Sequence, residues 1–207
     1  MQYTTYYEEQ QQIDCKKYDK IKQNLLLGQA GRKFEEFRVR KLGFQGTEAN
    51  DAIPQYYLCI KDQDEEQIYL EKKYIQNHIC HRAQAKLSRA ECESILRGDI
   101  QWMKGHREVL FDDFYLQATL NQLSPGRIVE YQREMIKCKD GCVIFAKKVN
   151  CILGGCRNLL EGQPMLIRCL DEDKVIMTCR KKTNLPNTIK EILQGRGAVN
   201  EDTLFAL

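Results

Sequence analysis

Cationic residues spaced two apart recur along the first half of this chain. Arg38 and Arg40 flank Val39, Glu71 and Lys73 flank Lys72, and Arg82, Gln84 and Lys86 alternate with alanines. Residues two apart in an extended strand project from the same face. The stretches 34–42, 68–74 and 80–86 each read as such a strand. If these strands are neighbours, one face of a sheet carries a dense field of cations, with Glu71 as the carboxylate among them. Two readings follow. The charges can be the solvated side of a sheet whose other side is buried. The predominance of one sign also fits the interior of a closed barrel that holds a polyanion, most simply a string of phosphates.

The elements that position these residues can be read in order. Residues 3–7 give a short strand, followed by polar, Gln-rich sequence at 8–12. Residues 18–27 have helical spacing (Ile21, Leu25, Leu26) and end at Gly28. Strands follow over 34–44, 56–61, 68–76 and 79–87, with a charged turn at 62–67 and a hairpin turn at Asn77-His78. Ser88-Arg89-Ala90-Glu91 has the pattern of a capping box and opens a helix to about Arg97. A second amphipathic helix spans 108–123 and stops at Ser124-Pro125-Gly126. Further strands are expected at 127–137, 142–153, 165–170 and 174–181, then a helix over 184–195.

Bulk properties exclude several classes. With 207 residues the chain has enough length to bury a core as one domain. A charged fraction of 29% and a hydrophobic fraction of 43% fit a soluble globular protein. The net charge of +3 is too small to imply nucleic-acid binding. No run is long and apolar enough for an integral membrane segment, and the N-terminus lacks the apolar core of a signal peptide, so a cytoplasmic location is expected. The ten cysteines are scattered and give no paired zinc-binding pattern, so they are expected to be reduced thiols.

The order of motifs resembles a known family. Phe37-Arg38-Val39-Arg40, then Tyr69-Leu70-Glu71-Lys72-Lys73, then a returning strand running into Ala85-Lys86-Leu87-Ser88-Arg89-Ala90-Glu91, are similar to the bacterial members of the VTC (vacuolar transporter chaperone) domain family. Ser124-Pro125-Gly126-Arg127-Ile128-Val129-Glu130-Tyr131-Gln132-Arg133-Glu134, the strand after Gly141 and the stretch 174–186 continue the match in the same order. The resemblance covers about residues 28–195. It implies an α+β fold of the triphosphate tunnel (CYTH-like) type, an antiparallel β-barrel tunnel with peripheral helices. On this reading residues 28–207 form the tunnel domain, and residues 1–27 are an N-terminal segment in which the family's opening strand is not recognisable.

The resemblance implies a polyphosphate polymerase-like phosphotransferase that moves the γ-phosphate of ATP onto an inorganic polyphosphate chain, assisted by Mn²⁺ or Mg²⁺. Residue by residue, it assigns phosphate binding to Arg38, Arg40, Lys73, Arg82, Arg133 and Arg180, with Lys73 and Arg133 in the catalytic role. Such groups suit the chemistry, because fixed Arg and Lys stabilise charge on non-bridging phosphate oxygens. The chain also departs from the family. Cys142 and Ala146 stand where an Arg and an Asp are usual, and Thr178 stands where a Glu holds the metal, leaving Glu71 as the candidate ligand. The C-terminal Ser-Lys pattern is lost near Thr203. A degenerate tunnel domain, which binds phosphate or polyphosphate or acts as a scaffold without turnover, is therefore the alternative.

Overall fold

The computed structural model describes residues 3–27, 33–46, 54–76, 79–139 and 141–182. The turn expected at Asn77-His78, the helix expected over 184–195 and the position near Thr203 lie outside the described residues.

The strands are β1 (Thr4–Asp14), β2 (Lys33–Gln45), β3 (Gln55–Lys61), β4 (Ile68–Gln76), β5 (Ile79–Leu87), β6 (Ser124–Cys138), β7 (Gly141–Ile152), β8 (Leu166–Arg168) and β9 (Lys174–Lys181). The helices are α1 (Cys15–Leu27), α2 (Arg89–Leu96) and α3 (Val109–Leu120). The strands pair in the order β6-β2-β3-β4-β5-β1-β9-β7, and β7 returns to β6, which closes an eight-stranded barrel. Each pairing is antiparallel. The short β8 lies outside the ring, on the second half of β7 beyond its pairing with β9. The α+β barrel with peripheral helices read from the sequence is therefore the observed fold.

Closure depends on β1. It pairs with β5 through Thr4–Tyr7 and with β9 through Tyr7–Asp14, so both of its edges are used. The sequence suggests only a short strand over 3–7 and an unstructured polar run after it. Glu and Gln have low strand propensity, but here the ladder bonds on both sides and the charge pairing of Glu8 override it. The opening strand of the barrel is thus supplied by this chain itself.

The apolar core lies largely outside the ring. Leu42, Leu58, Ile68 and Leu70, all fully buried, face α2 and α3, where Cys92, Ile95, Leu110 and Phe114 meet them. Burying each such side chain stabilises the fold by roughly 1.5–3 kcal/mol. Ser88 caps α2, accepting from the Glu91 amide while the Glu91 carboxylate accepts from the Ser88 amide, as the sequence pattern indicates. A second outer cluster lies under α1, where Tyr18 meets Phe145 edge-on at 5.0 Å. Glu134 is buried beneath this helix and accepts from Tyr18 (2.7 Å), Lys22 (2.8 Å) and Lys147. With its apolar residues under helices, the sheet is left to turn its other, charged face inward.

Candidate functional site

Strand register decides which charges face the lumen. Glu8 lies opposite Arg180, and Arg180 opposite Cys142. Arg82 lies opposite Lys73, Glu71 opposite Tyr57, and Lys41 opposite Cys59. Phe37 lies opposite Arg133, and Arg133 opposite Ala146. Directly opposed residues share a face, so these side chains form one continuous surface around the ring. The helices cover the other face, so this surface is the lumen.

Inside, carboxylates and cations meet both across paired strands and between strands that are not neighbours. Glu8 on β1 accepts from Lys73 Nζ on β4 at 2.8 Å and from Arg180 Nε at 2.7 Å. Glu71 takes Lys41 Nζ at 3.2 Å on one oxygen, and Arg82 with the Gln84 amide (2.9 Å) on the other. Burial alone would raise the pKa of Glu8, but Lys73 and Arg180 outweigh it and hold the carboxyl at about 2. Burial likewise opposes ionisation of Glu71, and Arg82 and Lys41 keep it well below the usual carboxylate range.

The remaining cations are not matched in this way. Lys61 and Arg133 lie over the same Phe37 ring, at 5.4 and 5.6 Å from its centre. Neither has a carboxylate within ion-pair distance among the described residues. Arg133 is only 8% exposed, and its Nε, like that of Arg82, is buried without a hydrogen-bond partner. Burial and then the neighbouring guanidinium groups of Arg82 and Arg133 lower the pKa of Lys61. Burial and the nearby Arg180 and Arg82 do the same for Arg133. Among the described residues the lumen therefore holds crowded, desolvated cations in excess of carboxylates, which is the electrostatic condition for binding an anion. Arg82, Gln84, Arg180 and Lys181 also line a cleft of about 900 Å³ on the barrel.

Of the residues singled out in the sequence, Glu71, Lys73, Arg82, Arg133 and Arg180 come together in the lumen. Arg38 and Arg40 do not, and their placement is corrected here. The register of β2 sends Phe37, Val39 and Lys41 inward and the two arginines outward. Arg40 is buried on the outer side, bonded through Nε to Glu130 at 2.6 Å, through Nη1 to the carbonyls of Leu159 and Glu161, and through Nη2 to that of Gly162. Arg38 is exposed and borders a cleft of about 650 Å³ that it shares with Asp62 and Gln63 and with the inward-facing Phe37 and Tyr131. In their place the lumen receives Lys41, Lys61 and Glu8, which the sequence reading missed. Lys41 was legible only as the alternative face of the same strand, Lys61 as the last residue of β3, and Glu8 only once β1 is known to be a strand.

The positions that depart from the family pattern also face inward. Cys142 lies opposite Arg180, Ala146 opposite Arg133, and Thr178 opposite Gln10 and Ile144. Ala146 joins Val39, Val129, Tyr131 and Ile176 in an apolar cluster, so an apolar patch adjoins Arg133 on the inner surface. A hard divalent cation requires several oxygen ligands. Among the described residues no group of three or more His, Cys, Asp or Glu side chains is assembled for one. Both oxygens of Glu8 and of Glu71 are already committed to cations. The described residues of the lumen therefore do not fit a resident metal.

No protein-family model and no curated protein matches the sequence. Solved structures do. A Bacillus halodurans protein named as an adenylate cyclase (bh2851) aligns with a TM-score of 0.57 at 13% identity, over 99% of each chain. A chain of the Schizosaccharomyces pombe Mediator head module aligns at 0.53 and 9% identity, covering 91% of this chain and 89% of its own. HpAC1 from Hippeastrum, described as having a dominant triphosphatase activity, aligns at 0.53 and 9% identity, over 92% of this chain and 84% of its own. No helix among the described residues is long and apolar enough to cross a membrane. At these identities the likeness concerns the fold alone, and the fold is that of a triphosphate tunnel of the CYTH-like kind.

Proposed function

We propose that the lumen binds a linear chain of phosphates, either inorganic polyphosphate or the triphosphate of a nucleotide such as ATP. The observation that carries this reading is the convergence of Lys61, Lys73, Arg82, Arg133 and Arg180 on one interior surface, two of them without a carboxylate partner among the described residues. Arginine offers planar, bidentate donors to phosphate, and lysine a mobile point charge. The apolar patch beside Arg133 keeps the local dielectric low, which strengthens the contact. Polyphosphate polymerase-like transfer from ATP is the second reading. It is supported by the ordered VTC-like motifs, and by Lys73 and Arg133 standing where they can stabilise charge on a transferring phosphoryl group. Both readings share the grip and differ in turnover.

One experiment separates them. Purified protein is given ATP and Mn²⁺ and assayed for polyphosphate, while binding of tripolyphosphate and long-chain polyphosphate is measured by calorimetry, each beside Lys73→Ala. Saturable binding weakened at least tenfold by the substitution, with no polymer formed, is the expected result and identifies a binding domain. Polymer formed by the wild type and not by the variant establishes the polymerase. Absence of binding and of product refutes both.

A further inference from the structure

The lumen carboxylates do not behave as an incipient metal site. Glu8 and Glu71 each project between two cations and spend both oxygens on them. Lys41, Lys61, Lys73, Arg82, Arg133 and Arg180 together outnumber them. A divalent ion entering between Glu8 and Glu71 would meet an excess of positive charge and, on these two carboxylates, no uncommitted oxygen. A phosphate chain would meet the opposite situation, because its oxygens can replace those of Glu8 on Lys73 and Arg180, and those of Glu71 on Lys41 and Arg82.

We propose that Glu8 and Glu71 are built-in counter-anions that occupy the phosphate positions of the empty tunnel, so that polyphosphate binds without a divalent metal and in competition with these carboxylates. The inference rests on the phosphate-binding reading above and adds to it the mode of recognition. It follows that the two carboxylates set an upper limit on affinity. They keep the empty lumen partly neutral, at the cost of repelling the bound chain. Free Mg²⁺ or Mn²⁺ should weaken binding, since a metal chelated by the phosphate chain lowers the negative charge that the tunnel recognises.

The test is calorimetric titration of the full chain with tripolyphosphate in three conditions: with EDTA, with millimolar Mg²⁺ and with millimolar Mn²⁺. Wild type, Glu8→Gln and Glu71→Gln are compared, and thermal melts confirm that each variant is folded. Glutamine keeps the shape and one acceptor while removing the charge. The expected results are equal or tighter binding in EDTA than with either metal, and tightening on the order of tenfold in each variant, as the removal of one nearby like charge implies. A binding reaction abolished by EDTA, or weakened in both variants, overturns the inference and makes the carboxylates metal ligands, while leaving phosphate binding standing. Lack of binding in every condition removes the phosphate reading itself, and the inference with it. If one variant fails to fold, the other and the wild-type metal series still decide.

Discussion

Replacing Arg133 with methionine should stabilise the empty protein and remove its response to phosphate. Arg133 is 8% exposed, its Nε has no partner, and Arg82 and Arg180 are near enough to disfavour its charge. A buried donor left unsatisfied costs about 1–3 kcal/mol, and replacing buried charge by an apolar side chain of similar volume commonly gains about 1–4 kcal/mol. Against this, the contact with the Phe37 ring is lost, worth about 0.5–2 kcal/mol. The balance is a gain of about 1–2 kcal/mol, or about 2–8 °C in Tm for a domain of this size. Ligand linkage works in the other direction. Tripolyphosphate at a hundred times its Kd should stabilise the wild type by about 2.7 kcal/mol. In Arg133→Met that ligand-induced shift should fall to less than about a third at the same concentration, since a buried, charge-assisted contact has gone. The assay is a pair of thermal melts, with and without tripolyphosphate, for each protein. If Arg133→Met melted several degrees lower than wild type when empty, Arg133 would be a structural residue. If the variant kept the full ligand shift, the lumen would not be the binding site.

Three further predictions concern single groups. The Glu8 carboxyl is held at about 2 in the folded state against an ordinary value of 4.5. A depressed carboxyl contributes stability above its unfolded pKa and loses it as pH falls through the folded one. Between pH 6 and pH 3 wild type should therefore lose about 2 kcal/mol more than Glu8→Gln; parallel pH profiles from urea denaturation would contradict the Lys73 and Arg180 pairing. On the outer face, Arg38→Ala should leave Tm within about 1 °C and phosphate affinity within about twofold, because the side chain is exposed and outside the lumen. Arg40→Ala should instead destabilise by about 3–5 kcal/mol, by stranding the buried Glu130, yet leave the affinity of the folded fraction unchanged. A large loss of affinity in either variant would restore the two arginines to the site.

How far the sequence could be read depended on whether the information was local. Strands β2, β4 and β5 carry charges at alternate positions, β3 is a short apolar run, and Ser88-x-x-Glu91 announces α2, so these elements were legible nearly to the residue. Which face of β2 turns inward was not. Phe37-Val39-Lys41 and Arg38-Arg40 have the same period, and only the register against Cys59 and Arg133 distinguishes them. A one-residue difference in that register exchanges every side chain between lumen and exterior. β1 was hidden for a related reason. Its Glu and Gln residues carry no strand signal, and its partners β5 and β9 lie far along the chain. The pairing of Glu8 with Lys73 and Arg180 belongs to the closed ring and to no segment of it.

Arg40 and Arg133 allow the lumen to be compared with the rest of the molecule on equal terms. Both are arginines on paired strands of one barrel, and both are almost completely buried, at 3% and 8% exposed. Arg40, on the outer face, has a carboxylate in Glu130 and the carbonyls of Leu159 and Glu161. The fold can therefore satisfy a buried guanidinium where that group serves the structure. Arg133, on the inner face, stands beside other cations, with no carboxylate partner among the described residues and a bare Nε. A buried charge held without compensation lowers stability unless something outside the chain completes it. An anion of extended shape, lying along the lumen between Arg133 and the ion pairs of Glu8 and Glu71, is the partner that would convert this cost into binding energy.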